Sequence, residues 1–257
     1  MRESFVSKVD KKIIPTCKIM GVNLAAINME WLVNFTKQYI KELSGDYLCV
    51  SNVHTTVMSY DDAAYCAIQN GGIMAIPDGG PLSSVGRKRG FSHMERTTGP
   101  DYLKEIISIS EEQGYRHYFY GSTEETLKKL EESLIKDYPE VQIAGMYSPP
   151  FRPLSAEEDL EITKKINESH ADFVWVGLGA PKQECWMAEH QGKINGFMVG
   201  VGAAFDYMAE NIERAPLWMQ KMNLEWLYRL MQEPGRLFKR YFYTNTKFIW
   251  NAMILGK

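Results

Sequence analysis

The sequence predicts an α/β fold, a doubly wound and mostly parallel sheet with a helical C-terminal appendage. Three observations predict it. Short apolar runs alternate with segments of helical period along most of the chain. Several of those runs are apolar on both faces, as strands covered by helices on each side must be. From residue 212 the composition changes, and basic and aromatic residues interleave.

The elements follow in order. A helical pattern over 28–43 leads into "YLCVS" (47–51), the first core strand. A second helix is expected over 54–69, then the apolar strand "GIMAIP" (72–77). Gly99-Pro100-Asp101 reads as the start of a helix over 100–113, because proline fits a first helical turn. "YRHYFYG" (115–121) is aromatic and strand-like, and Ser122 with Glu125 predicts a capping box for a helix over 123–137. "VQIAGMY" (141–147), a helix over 155–168, "DFVWVGLG" (172–179), a helix over 181–191 and "GFMVGVG" (196–202) complete the alternation. Pro181 is expected at the first position of its helix.

The 257 residues suit one large domain, or a domain with an appendage, and the expected division is 1–211 and 212–257. No run reaches the roughly 18 apolar residues of a membrane span. "MRESFVSKVDKK" lacks the apolar core of a signal peptide, so a cytoplasmic location is expected. Cys17, Cys49, Cys66 and Cys185 form no C-x-x-C pair and are expected to be reduced, buried thiols. Net charge is −3, but residues 212–257 hold eight Lys/Arg against three Glu, so +5 there leaves −8 elsewhere. A basic tail on an acidic body points to an anionic partner.

Ligands of such sheets bind beyond the C-terminal strand ends. The residues there are Asn52, Asp78, Gly121-Ser122, Gly177 to Gln183 and Gly202 to Asp206. Asp78 in "PDGGPL" is either a turn residue or a carboxylate placed to take a proton. "VGLGAPKQE" joins a strand to a helix. Gly177 and Gly179 relax the turn, and Lys182 and Gln183 can add donors to a phosphate at the helix start. It is neither a full G-x-G-x-x-G nor a P-loop. Arg96, before Thr97-Thr98-Gly99, is the best-placed cation of the 86–101 segment. The five histidines lack metal spacing, D-x-D is absent, and no structural or catalytic metal is expected.

In the tail, Trp218, Trp226, Phe238, Phe242 and Trp250 interleave with Arg229, Arg236, Lys239, Arg240 and Lys247. That mixture suits an anionic membrane surface or single-stranded nucleic acid. It also suits an amphipathic helix pair docked on the domain. Some aromatics are expected to pack while the cations face a diphosphate.

Taken in order, "PDGGPL", "ERTTGPD", "FYGS", "VGLGAPKQE", "GVGAAFDYMAE" and "RAPLWMQKMNLEWLYRLMQEPGR" resemble the WecG/TagA/CpsF glycosyltransferases over roughly residues 18 to 245. The resemblance implies a Rossmann-like core and a metal-independent, inverting enzyme without a cofactor. It implies a UDP-sugar donor, a polyprenyl-diphosphate-linked acceptor and peripheral association with the inner face of the cell membrane. Products of the family feed teichoic acid, capsule or exopolysaccharide. Residue by residue, it implies a general base at Asp78 and a catalytic Arg96. Gln183 would bind donor sugar or diphosphate, and Asp206 the nucleotide. Arg229, Arg236 and Lys239 or Arg240 would offset the diphosphate charge, and Asn52 lines the donor side. Relatives often carry Thr-x-Asn where this chain has Val50-Ser51-Asn52. The missing hydroxyl would come from Ser51, Thr55 or Thr56, and the donor stays open among N-acetylmannosamine, glucose and a uronic acid.

Two other classes remain at this point. A nucleotide-cofactor oxidoreductase would use the glycines at 177–179. A non-enzymatic module would bind membrane or single-stranded nucleic acid through the tail. Apolar residues of the tail can also pair two copies of the chain.

Overall fold

A computed structural model describes residues 5–257, apart from the side chain of Lys221. Among the described residues a 3-10 turn at Lys11–Ile13 precedes a hairpin, β1 (Thr16–Ile19) and β2 (Val22–Ala25), followed by α1 (Met29–Tyr39). Then come β3 (Tyr47–Ser51), α2 (Val53–Asp61), α3 (Ala63–Gly71), β4 (Met74–Pro77), α4 (Gly80–Lys88) and α5 (Gly99–Gln113). The second half holds β5 (Arg116–Gly121), α6 (Glu124–Asp137), β6 (Gln142–Tyr147), α7 (Ala156–Glu168), β7 (Phe173–Gly177), α8 (Lys182–Glu189) and β8 (Phe197–Gly200). A short α9 (Ala204–Met208) precedes the appendage: α10 (Leu217–Lys221), α11 (Glu225–Gln232), α12 (Pro234–Phe248) and a final π-helical turn at Ile249–Ile254.

The sheet order is β1-β2-β4-β3-β8-β7-β5-β6. Only β1 runs antiparallel to its neighbour. All six expected core strands are present. Their side chains alternate between two buried layers, which explains why they read as continuous apolar runs. Leu48, Val50, Phe173, Trp175 and Val199 face α1, α5 and α6. Tyr47, Cys49, Val174, Val176 and Met198 face α2, α4, α7, α8 and α12.

Five readings of the sequence are corrected. The hairpin was not expected: its strands have four residues each, and its turn rests on Met20 and Gly21, both at positive φ. The helix expected over 54–69 is two helices. Asp62 is extended, and its carboxylate accepts from the N–H groups of Ala64 and Tyr65, which caps the second. Thr123, not Ser122, caps α6 through the Thr126 N–H. Pro181 is the residue before α8 rather than its first. Of the cysteines, Cys17 and Cys49 are buried, while Cys66 and Cys185 are only half-buried.

Candidate active site

The parallel register sets Ser51 beside Pro77, so Asn52 and Asp78 leave adjacent strands side by side. The Asp78 N–H donates to the Ser51 carbonyl at 2.7 Å, which holds the turn against β3. Asn52 caps α2, its amide oxygen accepting from Thr55 N–H at 3.1 Å. Of the three candidate hydroxyls beside it, two are engaged within the fold and the third, Thr56 Oγ1, is buried without a hydrogen-bond partner. Ser51 Oγ donates to Gln69 at 2.5 Å, Thr55 completes the cap, and Thr56 is fully buried.

Arg96 arrives from a different segment. The Thr97 N–H donates to the Pro77 carbonyl at 2.9 Å, so Asp78, just after Pro77, and Arg96, just before Thr97, are brought together. Burial raises the Asp78 carboxyl, the Arg96 guanidinium pulls it back, the carboxylates of Glu225 and Asp101 push it up, and the balance lies at about 6. A carboxyl tuned near neutrality is suited to accept a proton.

The appendage closes this site. Glu225, first residue of α11, is ion-paired with Arg96 and accepts from Arg214 Nε at 3.2 Å. Arg214 also grips Asp101 with both terminal nitrogens, at 2.6 and 2.9 Å. Burial opposes the Asp101 charge, but Arg214 and the Thr98 hydroxyl hold that carboxyl below its ordinary range. Tyr207 lies under two guanidiniums, 5.6 Å from Arg229 and 5.9 Å from Arg214. Asn223, between α10 and α11, presses on the Asp78 turn: a Cβ at Gly80 would stand 2.0 Å from its side chain.

The remaining candidates divide. Arg240 is half-buried near His54, whose imidazole is driven down to about 4 by burial and by that charge. Arg236 and Lys239 are exposed, and Arg236 pairs with Glu233 at 2.6 Å. Gln183 is buried. Its amide oxygen accepts from the N–H groups of Gly179 (3.2 Å) and Gly202 (3.0 Å), tying the loops after β7 and β8. Its nitrogen donates to the buried Glu184 at 2.9 Å. Gly177 lacks a side chain because the Phe205 ring would lie 2.6 Å from a Cβ there. Lys182 is exposed beside Gly179. Asp206 accepts from Thr126 and Asn211 at 3.4 and 3.3 Å.

Asp101, Tyr207, Arg214 and Glu225 were not among the sequence candidates. Each stands inside a stretch that carried the resemblance, Asp101 in "ERTTGPD", Tyr207 in "GVGAAFDYMAE", and Arg214 and Glu225 in "RAPLWMQKMNLEW", but no local pattern singled it out.

The model of the Glycosyl transferase WecG/TagA/CpsF family matches residues 17–256. The chain belongs to this family. It is therefore a glycosyltransferase by family, and the oxidoreductase and non-enzymatic readings are not favoured. Among curated relatives, a Bacillus subtilis (strain 168) protein is 28% identical over 201 residues, 78% of this chain and 77% of the relative. A Staphylococcus aureus (strain MW2) protein is 25% identical over 222 residues, 85% of each. Both are named N-acetylglucosaminyldiphosphoundecaprenol N-acetyl-beta-D-mannosaminyltransferase. The WecG/TagA/CpsF match runs through the appendage, so the helices that close the site are part of the family unit.

Proposed function

We propose that this protein transfers N-acetylmannosamine from a UDP-sugar to a saccharide carried on undecaprenyl diphosphate, with inversion and without a metal. The observation that carries the reading is Asp78. It stands at a strand end with a carboxyl held near 6, beside Arg96 and under an appendage rich in cations. The names of the curated relatives support the sugar and the acceptor.

In this reading Asp78 takes the proton of the acceptor hydroxyl. The hydroxyl oxygen bonds to the anomeric carbon, the bond from that carbon to the donor's phosphate oxygen breaks, and its electron pair leaves with UDP. Charge grows on the diphosphate as the bond breaks, and arginines placed there stabilise that state more than the ground state. Arg96 and Arg229 fill this role. Arg236, Lys239 and Arg240 add field from the appendage.

The same appendage supports a peripheral membrane location. No described helix is long and apolar enough to cross a bilayer. Yet Phe238 (61% exposed), Phe242 (70%) and Trp250 (55%) point outward among cations. Apolar side chains with neighbouring Lys and Arg suit an anionic headgroup layer.

The test is release of UDP from UDP-N-acetylmannosamine and UDP-glucose, with and without a short-chain analogue of undecaprenyl-diphosphate-N-acetylglucosamine. Acceptor-dependent release from UDP-N-acetylmannosamine is expected. Release from no donor, with no UDP binding, would overturn the reading.

A further inference from the structure

We propose that Arg96 and Arg214 form a two-arginine seat for the donor's diphosphate, and that Glu225 is an internal occupant which the donor displaces. The proposal rests on the transferase reading above. It adds a binding residue, Arg214, and a competing one, Glu225.

The geometry is that of a bridged anion. One oxygen of Glu225 takes Arg96, and the other takes Arg214 at 3.2 Å. Two guanidiniums converging on one small anion are a usual solution for phosphate; here Arg214 offers its Nε–H, its two terminal nitrogens being held by Asp101. The two arginines come from the core loop and from the approach to the appendage. Their common partner comes from α11.

The seat stays built when its occupant leaves. Asp101 holds Arg214 through two hydrogen bonds, and Thr98 braces Asp101 at 2.6 Å. Arg96 keeps a second carboxylate 3.9 Å away in the same Asp101. Losing Glu225 therefore leaves Arg96 and Arg214 facing the carboxylates of Asp101 and Asp78, so the pocket goes from an excess of carboxylates to a balanced one that can take a new anion. A diphosphate brings more negative charge and more acceptor oxygens than a single carboxylate, so it is the stronger partner.

The experiment is calorimetric titration of UDP, and of inorganic pyrophosphate, into the full-length protein, Glu225→Gln, Arg214→Met and the double variant. Glu225→Gln is expected to bind UDP about tenfold more tightly and Arg214→Met about tenfold more weakly, each a change of about 1.4 kcal/mol. In the Arg214→Met background, Glu225→Gln should have a smaller effect, because half of the contested seat is gone. Unchanged or weaker UDP binding by a folded Glu225→Gln would overturn the proposal and make Glu225 a strut. Should that variant fail to fold, Glu225→Asp, which withdraws the carboxylate by one methylene, replaces it with the same expected sign. Normal acceptor-dependent turnover with unaltered affinities would sink the seat alone. Pyrophosphate binding that tightens in Glu225→Gln, without any UDP binding, would keep the seat and sink the donor reading.

Discussion

The N–H of Thr97 donates to the carbonyl oxygen of Pro77 at 2.9 Å. These residues are the immediate neighbours of Arg96 and Asp78. One backbone bond thus brings together a carboxyl and a guanidinium from separate segments, and the carboxyl's acidity responds to the guanidinium.

Arg96→Met should change the pH profile as well as the rate. With Asp78 as base, turnover in the unaltered protein rises as pH climbs through about 6. Arg96 is the leading group that lowers the Asp78 carboxyl, so removing it moves the acidic limb upward. The rate at the plateau should fall by about a hundredfold or more. A pH series of acceptor-dependent UDP release checks both. An unshifted limb would separate Arg96 from Asp78.

Asp78→Asn should abolish transfer and stabilise the fold. The folded carboxyl lies at about 6, above its ordinary 3.8. A raised value means stability that is full below 3.8 and lost as pH rises through 6. Asparagine avoids that loss, so a gain of roughly 2 kcal/mol is expected near neutral pH. The gain should disappear in acid. Chemical denaturation at two pH values measures it, and a destabilised variant at neutral pH would contradict it.

Glu184 supplies a third test. Its carboxyl is fully buried and raised by that burial, and one oxygen has no partner. The other holds the Gln183 amide that spans Gly179 and Gly202. Glu184→Ala should cost about 2 kcal/mol, because it leaves a buried donor unpaired. Glu184→Gln removes the ionisable group and should match or exceed the unaltered protein near neutral pH. The raised carboxyl favours the unaltered protein only as pH falls toward the ordinary glutamate range. Thermal unfolding at both pH values decides.

Phe238→Ser/Phe242→Ser tests the outward face of α12. These rings stack with centroids 6.4 Å apart and are largely exposed. If they enter a headgroup layer, each contributes about 1.5–3 kcal/mol, and affinity for anionic vesicles should drop at least about tenfold. UDP binding should be unchanged. Equal vesicle binding by the double variant would remove this face from the membrane reading.

Much of the core was legible because a parallel sheet covered on both faces writes its strands as unbroken apolar runs. Residues 47–51 and 173–177 carry that signal. The β1–β2 hairpin was not legible, because Lys18 and Asn23 break its two short strands. Helix α4 was hidden by Gly79-Gly80-Pro81, a sequence that favours a turn over a helix start. Asp78 and Arg96 stood out through their motifs. Arg214 did not, because its meaning lies in Asp101, 113 residues earlier in the chain. Glu225 reads locally as an ordinary first-turn acid, and only folding brings it to Arg96.

Helix α2 begins under Asn52 and ends at Asp61, and Asp61 receives both Lys247 and the Tyr243 hydroxyl, at 3.0 Å for the latter. Asn52, at the candidate site, and the anchorage of the last long helix are thus the head and foot of one nine-residue rod. At 1.5 Å per residue the rod is about 13 Å long. It couples the two ends: a substitution that frees Asp61 from Lys247 and Tyr243 loosens the foot of the same helix whose head is capped by Asn52.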